Sequence, residues 1–246
     1  MDFRAIEDRI IKFIREIVDS SRSNGVVLGL SGGVDSAVVA FLCAKALGKE
    51  KVLANIMPED GVTPKEDVED ALLVVKILGI DYNIIEISPI VKLFVSMLGE
   101  EKNAVINLKP RIRMTINYFY ANKLHRLVAG TGNKSEIMIG YFTKYGDGGV
   151  DFQPIGDLYK TEIFEFARFL GVPERIVKKV PTAGLYIGQT DEAEIGMKYA
   201  ELDEVLKEIE LGNVRDDKKF YRVLNLMKVS KHKRFLPPIP KVRDLV

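Results

Sequence analysis

Short apolar runs rich in β-branched residues alternate with helical segments along the first half of this sequence. The run Val26–Leu30 precedes a glycine-rich turn and a small-residue helical segment, Val34–Leu47, that ends at Gly48. Strands that alternate with helices of ten or more residues predict βαβ units, in which right-handed crossovers place helices on both faces of a parallel sheet. We therefore predict an α/β protein with an open parallel sheet.

The strand pattern fades after about Asp157, and the remainder of the chain is mostly helical. We found no internal repeat, so we predict one domain over residues 1–246 with a helical C-terminal third. The further predicted strands are Val52–Met57, Tyr82–Ile87 and Leu127–Ala129, and the predicted C-terminal helices are Lys160–Leu170, Glu192–Glu210 and Asp217–Lys228.

The segment Lys102–His125 is unusually rich in aromatic residues, among them Tyr118, Phe119 and Tyr120. Pro110 predicts that its helix is bent or begins nearby, because proline removes a backbone donor and clashes with the preceding turn. Core packing is the simpler interpretation of each single aromatic residue. Their density also suits a subunit interface, where aromatic residues are enriched, so we predict a homodimer.

Charge and the rare residue types exclude several classes of protein. The 36 basic and 35 acidic residues give a formal charge of +1, which removes the broad electrostatic argument for binding nucleic acid or a membrane surface. The single cysteine, Cys43, excludes an intrachain disulfide, and with only two histidines a Cys/His zinc site is disfavoured. A hard cation such as Mg²⁺ fits better. Since neither a signal peptide nor a membrane-spanning run is recognised, we expect a cytoplasmic protein.

A glycine-rich motif joins the first predicted strand to the helix that follows it. Helix N-terminal N–H groups lack intrahelical partners and attract anions, and glycines let the backbone approach a ligand closely. Asp35 would repel a phosphate but suits a Mg²⁺ ion that bridges phosphates, so the location predicts a phosphate site. The alternative is an ordinary tight turn with a helix N-terminal acid. The motif consists of Gly29, Leu30, Ser31, Gly32, Gly33, Val34, Asp35 and Ser36, and it matches neither a Walker A sequence nor the dinucleotide fingerprint.

A second glycine-rich stretch follows the fourth predicted strand. Thr131 is flanked by glycines, and Glu136 opens a short helix. Glu136 would complete a carboxylate pair with Asp35, which suits Mg²⁺ because this ion keeps several waters and binds only one or two protein acids. The turn between Lys144 and Asp151 is dense in glycine and charge, which favours a ligand loop over the alternative of a β-turn with surface charges.

These motifs carry a resemblance to a known family. The sequence SGGVDS resembles the pyrophosphate loop of the N-type ATP pyrophosphatases, which cleave ATP between the α and β phosphates. The Gly-Thr and Glu residues followed by GYFTKYGDGG resemble the NAD synthetases within that superfamily. The resemblance extends from Gly29 to Arg234 through KVPTA, QTDE and HKR. It implies a Rossmann-type fold of the adenine nucleotide alpha-hydrolase-like kind.

The resemblance also implies roles for individual residues. Asp35, Glu136 and Lys160 would be catalytic, and Asp35 and Glu136 would hold Mg²⁺. The residues implied to bind ATP are Gly29 to Ser36, Thr131, Lys160 and Thr182, and those implied to bind deamido-NAD are Arg111, Lys144, Asp151, His232 and Lys233.

Each of these side chains also has a simpler interpretation. Lys160 alone reads as a surface lysine at a helix start, Arg111 as the partner of a nearby acid, and His232 as part of a solvated basic helix end. The sequence departs from the family at Gly184, where some members have aspartate, and at Gly132–Ser135, where many bacterial members have Asp-His-Ala-Ala. Contacts made by those side chains elsewhere are not transferred to this chain.

The implied reaction amidates deamido-NAD to NAD⁺ in two steps, with ATP as co-substrate and an adenylated intermediate. Glutamine-using relatives add an amidase domain with a catalytic cysteine, whereas Cys43 lies in the helix after the phosphate motif, where core packing is expected. We therefore expect free ammonia as the nitrogen donor. The alternatives are another N-type ATP pyrophosphatase that adenylates a different carboxylate or tRNA, and a nucleotide-binding module without catalysis.

Overall fold

A four-stranded parallel sheet forms the centre of the computed structural model, which describes residues 1–243. Val26 on the first strand aligns with Val52 on one side and with Leu127 on the other, so the first strand is interior. The predicted open parallel α/β sheet is therefore confirmed. The strands are β1 (Val26–Gly29), β2 (Val52–Ile56), β3 (Asp81–Ile84) and β4 (Leu127–Val128), and they lie in the order β3-β2-β1-β4.

Helices surround this sheet and make up most of the C-terminal third. Two short 3-10 helices, Lys49–Lys51 and Lys231–Lys233, supplement them. The α-helices are α1 (Phe3–Ser20), α2 (Val34–Leu47), α3 (Lys65–Leu78), α4 (Ser88–Leu98), α5 (Lys102–Leu124), α6 (Lys134–Ile139), α7 (Lys160–Leu170), α8 (Glu174–Val177), α9 (Asp191–Ile195), α10 (Tyr199–Glu210) and α11 (Lys218–Val229).

Both faces of β1 are buried, with its side chains alternating between two hydrophobic clusters. Val26 and Leu28 of β1 belong to the main hydrophobic cluster, with α1, α2, α3 and α7. Val27 packs on the opposite face with Ala121 of α5 and Val128 of β4. Full burial on both faces explains why β1 reads as an unbroken apolar run rather than an alternating one.

The C-terminal helices have a hydrophobic cluster of their own, formed by α6, α9, α10 and α11, with Leu202 and Leu206 fully buried. The prediction of one helix over Glu192–Glu210 is wrong, because α9 ends at Ile195, α10 begins at Tyr199, and Gly196 caps α9. This residue has φ +81°, and a Cβ there would lie 2.6 Å from Nη2 of Arg222. Within residues 1–243, no helix has both the length and the apolar character that crossing a bilayer requires.

The aromatic helix α5 runs from Lys102 without interruption, with Pro110 inside it. Its start is therefore at Lys102 rather than near the proline. The Glu101 side chain accepts hydrogen bonds from two backbone N–H groups of the first turn, which fixes this start.

Candidate active site

The crevice between β1 and β4 lies where the strand order reverses direction. The chain leaves β1 through α2 to reach β2 on one side, while β4 pairs with β1 on the other. The carboxyl ends of both strands meet at one edge of the sheet, the usual ligand position in open α/β folds. The motif after β1 and the glycine-rich stretch after β4 are thereby brought together, as the sequence predicts.

Serine hydroxyls shape the turn between β1 and α2. Ser36 accepts a hydrogen bond from the Ser31 N–H (3.2 Å) and donates one to the Gly33 carbonyl (3.0 Å). The Gly33 N–H in turn donates to the exposed Ser31 hydroxyl at 3.3 Å. This turn therefore presents backbone and hydroxyl donors at the N-terminus of α2, an arrangement that suits a phosphate.

Two carboxylates from different strand ends converge on one buried lysine. The Lys160 ammonium lies 2.5 Å from Oδ2 of Asp35 and 3.5 Å from Oε1 of Glu136, and its side chain is 3% exposed. We call these three residues the charge centre. With two acids and one base, the charge centre is net negative when all three are ionised.

Asn133 sets the geometry of the charge centre. Its side chain caps α6 by accepting a hydrogen bond from the Glu136 N–H, while Glu136 accepts one from the Asn133 N–H. The Asn133 amide also donates to Oδ1 of Asp35 at 3.0 Å. Sequence reasoning missed this residue, although the spacing Asn-x-x-Glu is a recognisable capping box.

Burial and charge shift the pKa values of the charge centre. Burial raises the pKa of Glu136 to about 8, although the nearby Lys160 acts in the opposite direction. Burial opposes the charged form of Lys160, but the Asp35 and Glu136 carboxylates outweigh it, and the pKa of Lys160 is raised. The lysine therefore stays charged, whereas Glu136 needs a further cation nearby to be fully ionised at neutral pH.

Further side chains from α9, α10 and the segment after α6 surround the charge centre. The Tyr199 hydroxyl donates to Oδ2 of the buried Asp191 at 3.0 Å, and its ring centroid lies 5.2 Å from the Lys160 ammonium. The Tyr141 hydroxyl donates to the other oxygen of Asp191 at 3.2 Å. Sequence reasoning missed these residues, because no local pattern links them to the phosphate motif.

Two adjoining cavities lie near the charge centre, and Glu136 lines the inner one. The inner cavity, about 40 Å³, is lined by Thr131 and Glu136 among others. The outer groove, about 270 Å³, is lined by Lys144, Lys233, Tyr145 and residues 234–237. Phe142 and Gly148 line both, so the two cavities are neighbours.

The residues implied to bind deamido-NAD occupy different settings around the outer groove. Arg111 is exposed and donates from Nε to the Lys144 carbonyl at 3.3 Å, and His232 is exposed in the last 3-10 helix. Lys233 donates from Nζ to the carbonyls of Gly140 (2.8 Å) and Phe142 (2.7 Å). These contacts fix the backbone at the entrance to the groove.

Asp151 and Thr182 have their hydrogen-bond partners outside the charge centre. Asp151 accepts hydrogen bonds from the Tyr118 hydroxyl (3.0 Å) and from the Val128 N–H (2.7 Å), which ties it to the end of β4. Thr182 is exposed in the segment between α8 and α9, and its hydroxyl accepts from the Gly184 N–H at 3.1 Å. The structure thus joins Asp35, Glu136 and Lys160 directly, but not these two residues.

The parallel sheet and the turn after β1 define a Rossmann-like α/β protein with a nucleotide-type phosphate loop. The family model described as NAD synthase matches residues 6–237. The chain therefore belongs to the NAD synthase family.

Individual relatives agree with this assignment. The NH(3)-dependent NAD(+) synthetase of Archaeoglobus fulgidus is 62% identical over the full length of both chains. The structure of NMN synthetase from Francisella tularensis superposes with a TM-score of 0.91 and 35% identity, covering 98% of this chain and 99% of that one. The structure of the NH3-dependent NAD synthetase of Campylobacter jejuni superposes with a TM-score of 0.85 and 38% identity, covering 98% of this chain and all of that one.

Proposed function

We propose that this chain catalyses the ATP-dependent amidation of deamido-NAD to NAD⁺ with ammonia, releasing AMP and pyrophosphate. The observation that carries the proposal is the meeting of Asp35, Glu136 and Lys160 beside the phosphate loop, with the outer groove next to it. One substrate must be activated by ATP and then attacked, so its carboxylate has to reach the nucleotide. Two adjoining cavities meet that requirement.

The phosphate loop, Thr131 and Lys160 are proposed to bind ATP, with Thr182 approaching from the segment after α8. Asp35 and Glu136 would hold Mg²⁺. Their fit is supported by the convergence of both carboxylates on one cation, Lys160, which can neutralise only one of them when both are ionised. When bound, Mg²⁺ offsets the negative charge of the phosphates.

Within residues 1–243, no three His, Cys, Asp or Glu side chains converge as a complete metal site. Water and phosphate oxygens therefore supply the remaining ligands in this proposal, as is usual for this ion.

In the first step, an oxygen of the nicotinate carboxylate forms a bond to the α-phosphorus and the bond to pyrophosphate breaks. Lys160 is positioned to offset the negative charge that develops there, and the loop N–H groups bind the departing phosphates. In the second step, the nitrogen of ammonia attacks the acyl carbon, AMP leaves and a proton is released. The protein contributes orientation and charge, since neither step needs a protein nucleophile.

The outer groove is proposed to bind deamido-NAD through Arg111, Lys144, Asp151, His232 and Lys233. Lys144 and Lys233 bring positive charge to it, and the aromatic rings of Phe142 and Tyr145 offer stacking surfaces. The Francisella neighbour is an NMN synthetase, which makes the corresponding mononucleotide the competing substrate. The higher identity to the Archaeoglobus relative favours the dinucleotide.

The test is a product assay with Mg²⁺-ATP and deamido-NAD, with ammonium or glutamine as the nitrogen source. We expect NAD⁺, AMP and pyrophosphate in equal amounts with ammonium, and little product with glutamine. Equal turnover with glutamine would contradict the choice of ammonia. Faster turnover of nicotinate mononucleotide than of deamido-NAD would contradict the choice of substrate.

The proposal also includes a single domain over residues 1–246, a cytoplasmic location and a homodimer. The homodimer is supported by exposed apolar side chains on α4 and α5, among them Leu93 (59%), Met97 (73%) and Phe119 (62%). Light scattering coupled to size-exclusion chromatography should give about twice the chain mass of 27.6 kDa. A mass of one chain would contradict it.

A further inference from the structure

Lys179, just after α8, forms a contact that joins three parts of the molecule. Its Nζ lies 2.6 Å from Oδ1 of Asp67, 2.5 Å from Oδ2 of Asp70 and 3.3 Å from the carbonyl oxygen of Gly32. An ammonium group has three N–H donors, and these three acceptors match them. Lys179 therefore differs from Lys160, because it adds a backbone carbonyl of the phosphate loop to its two carboxylate partners, whereas Lys160 contacts the carboxylates of Asp35 and Glu136.

The acidic partners of Lys179 are fixed in α3. The Asp70 side chain is 3% exposed and also forms an ion pair with Arg175 of α8. Two acids and two bases thus form a neutral group between α3 and α8. The charges of these four side chains already balance, so the further contact of Lys179 with the Gly32 carbonyl needs a separate explanation.

Gly32 lies where the phosphate loop approaches α3 closely. Its φ of +83° is in the left-handed region, and a Cβ there would lie only 2.1 Å from the Asp67 carbonyl oxygen. The loop therefore rests against the first turn of α3 at a distance that only glycine allows. The Lys179 ammonium joins the same two residues, because it contacts the Gly32 carbonyl and the Asp67 carboxylate.

The orientation of the Gly32 carbonyl also fixes the direction of the Gly33 N–H, which is a donor available to a ligand. In a trans peptide, the carbonyl oxygen and the following N–H point in opposite directions. With the Gly32 oxygen turned toward Lys179, the Gly33 N–H points away, where it meets the exposed Ser31 hydroxyl at 3.3 Å. A phosphate oxygen arriving at the loop would replace that hydroxyl as acceptor.

We propose that Lys179 is a positioning residue, which holds the Gly32–Gly33 peptide in the orientation that binds the phosphates of ATP. Because Lys179 also starts the segment that carries Thr182, it sets the spacing between that segment and the phosphate loop. The identity of the ligand as ATP rests on the proposed function. The orientation of the peptide does not depend on which carboxylate is adenylated.

The test compares Lys179→Met with Lys178→Met. Lys178 is the adjacent residue, its side chain is 72% exposed, and its ion pair with Glu174 is 3.7 Å long, so it is a matched control. Calorimetric titration with Mg²⁺-ATP, and separately with deamido-NAD, gives the two affinities. We expect Lys179→Met to weaken ATP binding by about 10- to 100-fold with deamido-NAD binding unchanged, and Lys178→Met to match the wild type.

Asp67→Asn provides a second variant in case Lys179→Met does not fold. It keeps Lys179 paired with Asp70, so we expect a folded protein with a smaller loss of ATP affinity. ATP affinity equal to the wild type in whichever of the two variants folds, or equal weakening of both ligands, would overturn the proposal. A wild-type chain that binds ATP but forms no NAD⁺ would overturn the proposed function alone, whereas one that binds no ATP would overturn both.

Discussion

The inner cavity adjoins both the charge centre and the outer groove, but the side chains of these two regions are held in different ways. In the charge centre, Lys160 is buried and each carboxylate has a second partner from the protein, as Asp35 has in Asn133. Around the outer groove, Arg111 and His232 are exposed. We therefore expect the side chains of the charge centre to keep their positions when a ligand binds, and the exposed side chains of the outer groove to be ordered by the ligand.

This difference predicts how each region responds to substitution. Groups that are fixed and desolvated act together, so removing one of them disturbs the others. Exposed charges act almost independently and are screened by solvent, so their contributions are small and graded. The four variants below test this contrast, from the largest expected effect to the smallest.

Asp35→Asn should lower turnover by about 100- to 1000-fold, the usual loss when one charged group of a preorganised site is removed. The asparagine keeps the shape but loses the charge that faces Lys160 and the proposed metal. Steady-state assays of NAD⁺ formation measure the loss. Asp157→Asn is the control, because the Asp157 side chain is 97% exposed. Adenylate formation close to the wild-type rate in Asp35→Asn would contradict the role of this carboxylate.

Glu136→Gln should raise the stability of the ligand-free protein at alkaline pH. The folded state raises the pKa of Glu136 to about 8, so the folded protein holds a proton that the unfolded chain releases above its ordinary pKa of 4.5. The free energy of unfolding therefore falls as the pH rises between these two values. The Glu136→Gln side chain does not titrate, so this fall in the free energy of unfolding is absent from the variant. The substitution should therefore stabilise the protein by at least about 1.4 kcal/mol at pH 9, the equivalent of one pKa unit.

Denaturant unfolding at pH 5 and pH 9, with EDTA to remove divalent ions, measures this effect. The gain of Glu136→Gln over the wild type should be present at pH 9 and shrink toward pH 5. The same dependence on pH in both proteins would show that Glu136 is not the group responsible.

Lys144→Met should raise the KM for deamido-NAD by up to about tenfold, with the KM for ATP unchanged. Lys144 lines the outer groove, and its ammonium lies 5.1 Å from the Tyr145 ring, so the lost contact is a partly solvated charge. A larger effect on ATP than on deamido-NAD would place Lys144 with the charge centre instead.

His232→Ala should have the smallest effect, about twofold on the KM for deamido-NAD, because an exposed side chain contributes little. The same kinetic assay checks it at saturating ATP. A loss as large as that of Asp35→Asn would mean that the outer groove is as tightly organised as the charge centre.

Much of the fold and part of the candidate site follow from local sequence. Val26–Leu30 predicted β1 to within one residue, and the helix predicted over Lys160–Leu170 matches α7. The placement of Asp35 and Glu136 in one site followed because parallel strands end at one edge of the sheet. These features can be predicted because they depend on the periodicity of short segments and on general rules for connecting parallel strands.

The remaining features depend on contacts between distant segments. The carboxylate and carbonyl partners of Lys179 lie more than 100 residues away in the sequence, and Asp191 accepts hydroxyl donors from Tyr141, after α6, and from Tyr199 on α10. In the sequence, Gly196 is a single residue within a helical pattern. The Arg222 guanidinium that packs against it is seen only in the structure. Such contacts leave no periodic signal, so sequence reasoning did not find them.

The central claim is that the charge centre adenylates a carboxylate presented from the outer groove. Exchange of labelled pyrophosphate into ATP, without ammonium, tests it most directly, because only the first step can then occur. We predict exchange that requires deamido-NAD, is lost in Asp35→Asn and persists in Lys144→Met at saturating deamido-NAD. Exchange at the same rate without deamido-NAD, or none in a wild-type preparation that forms NAD⁺ once ammonium is added, would contradict the claim.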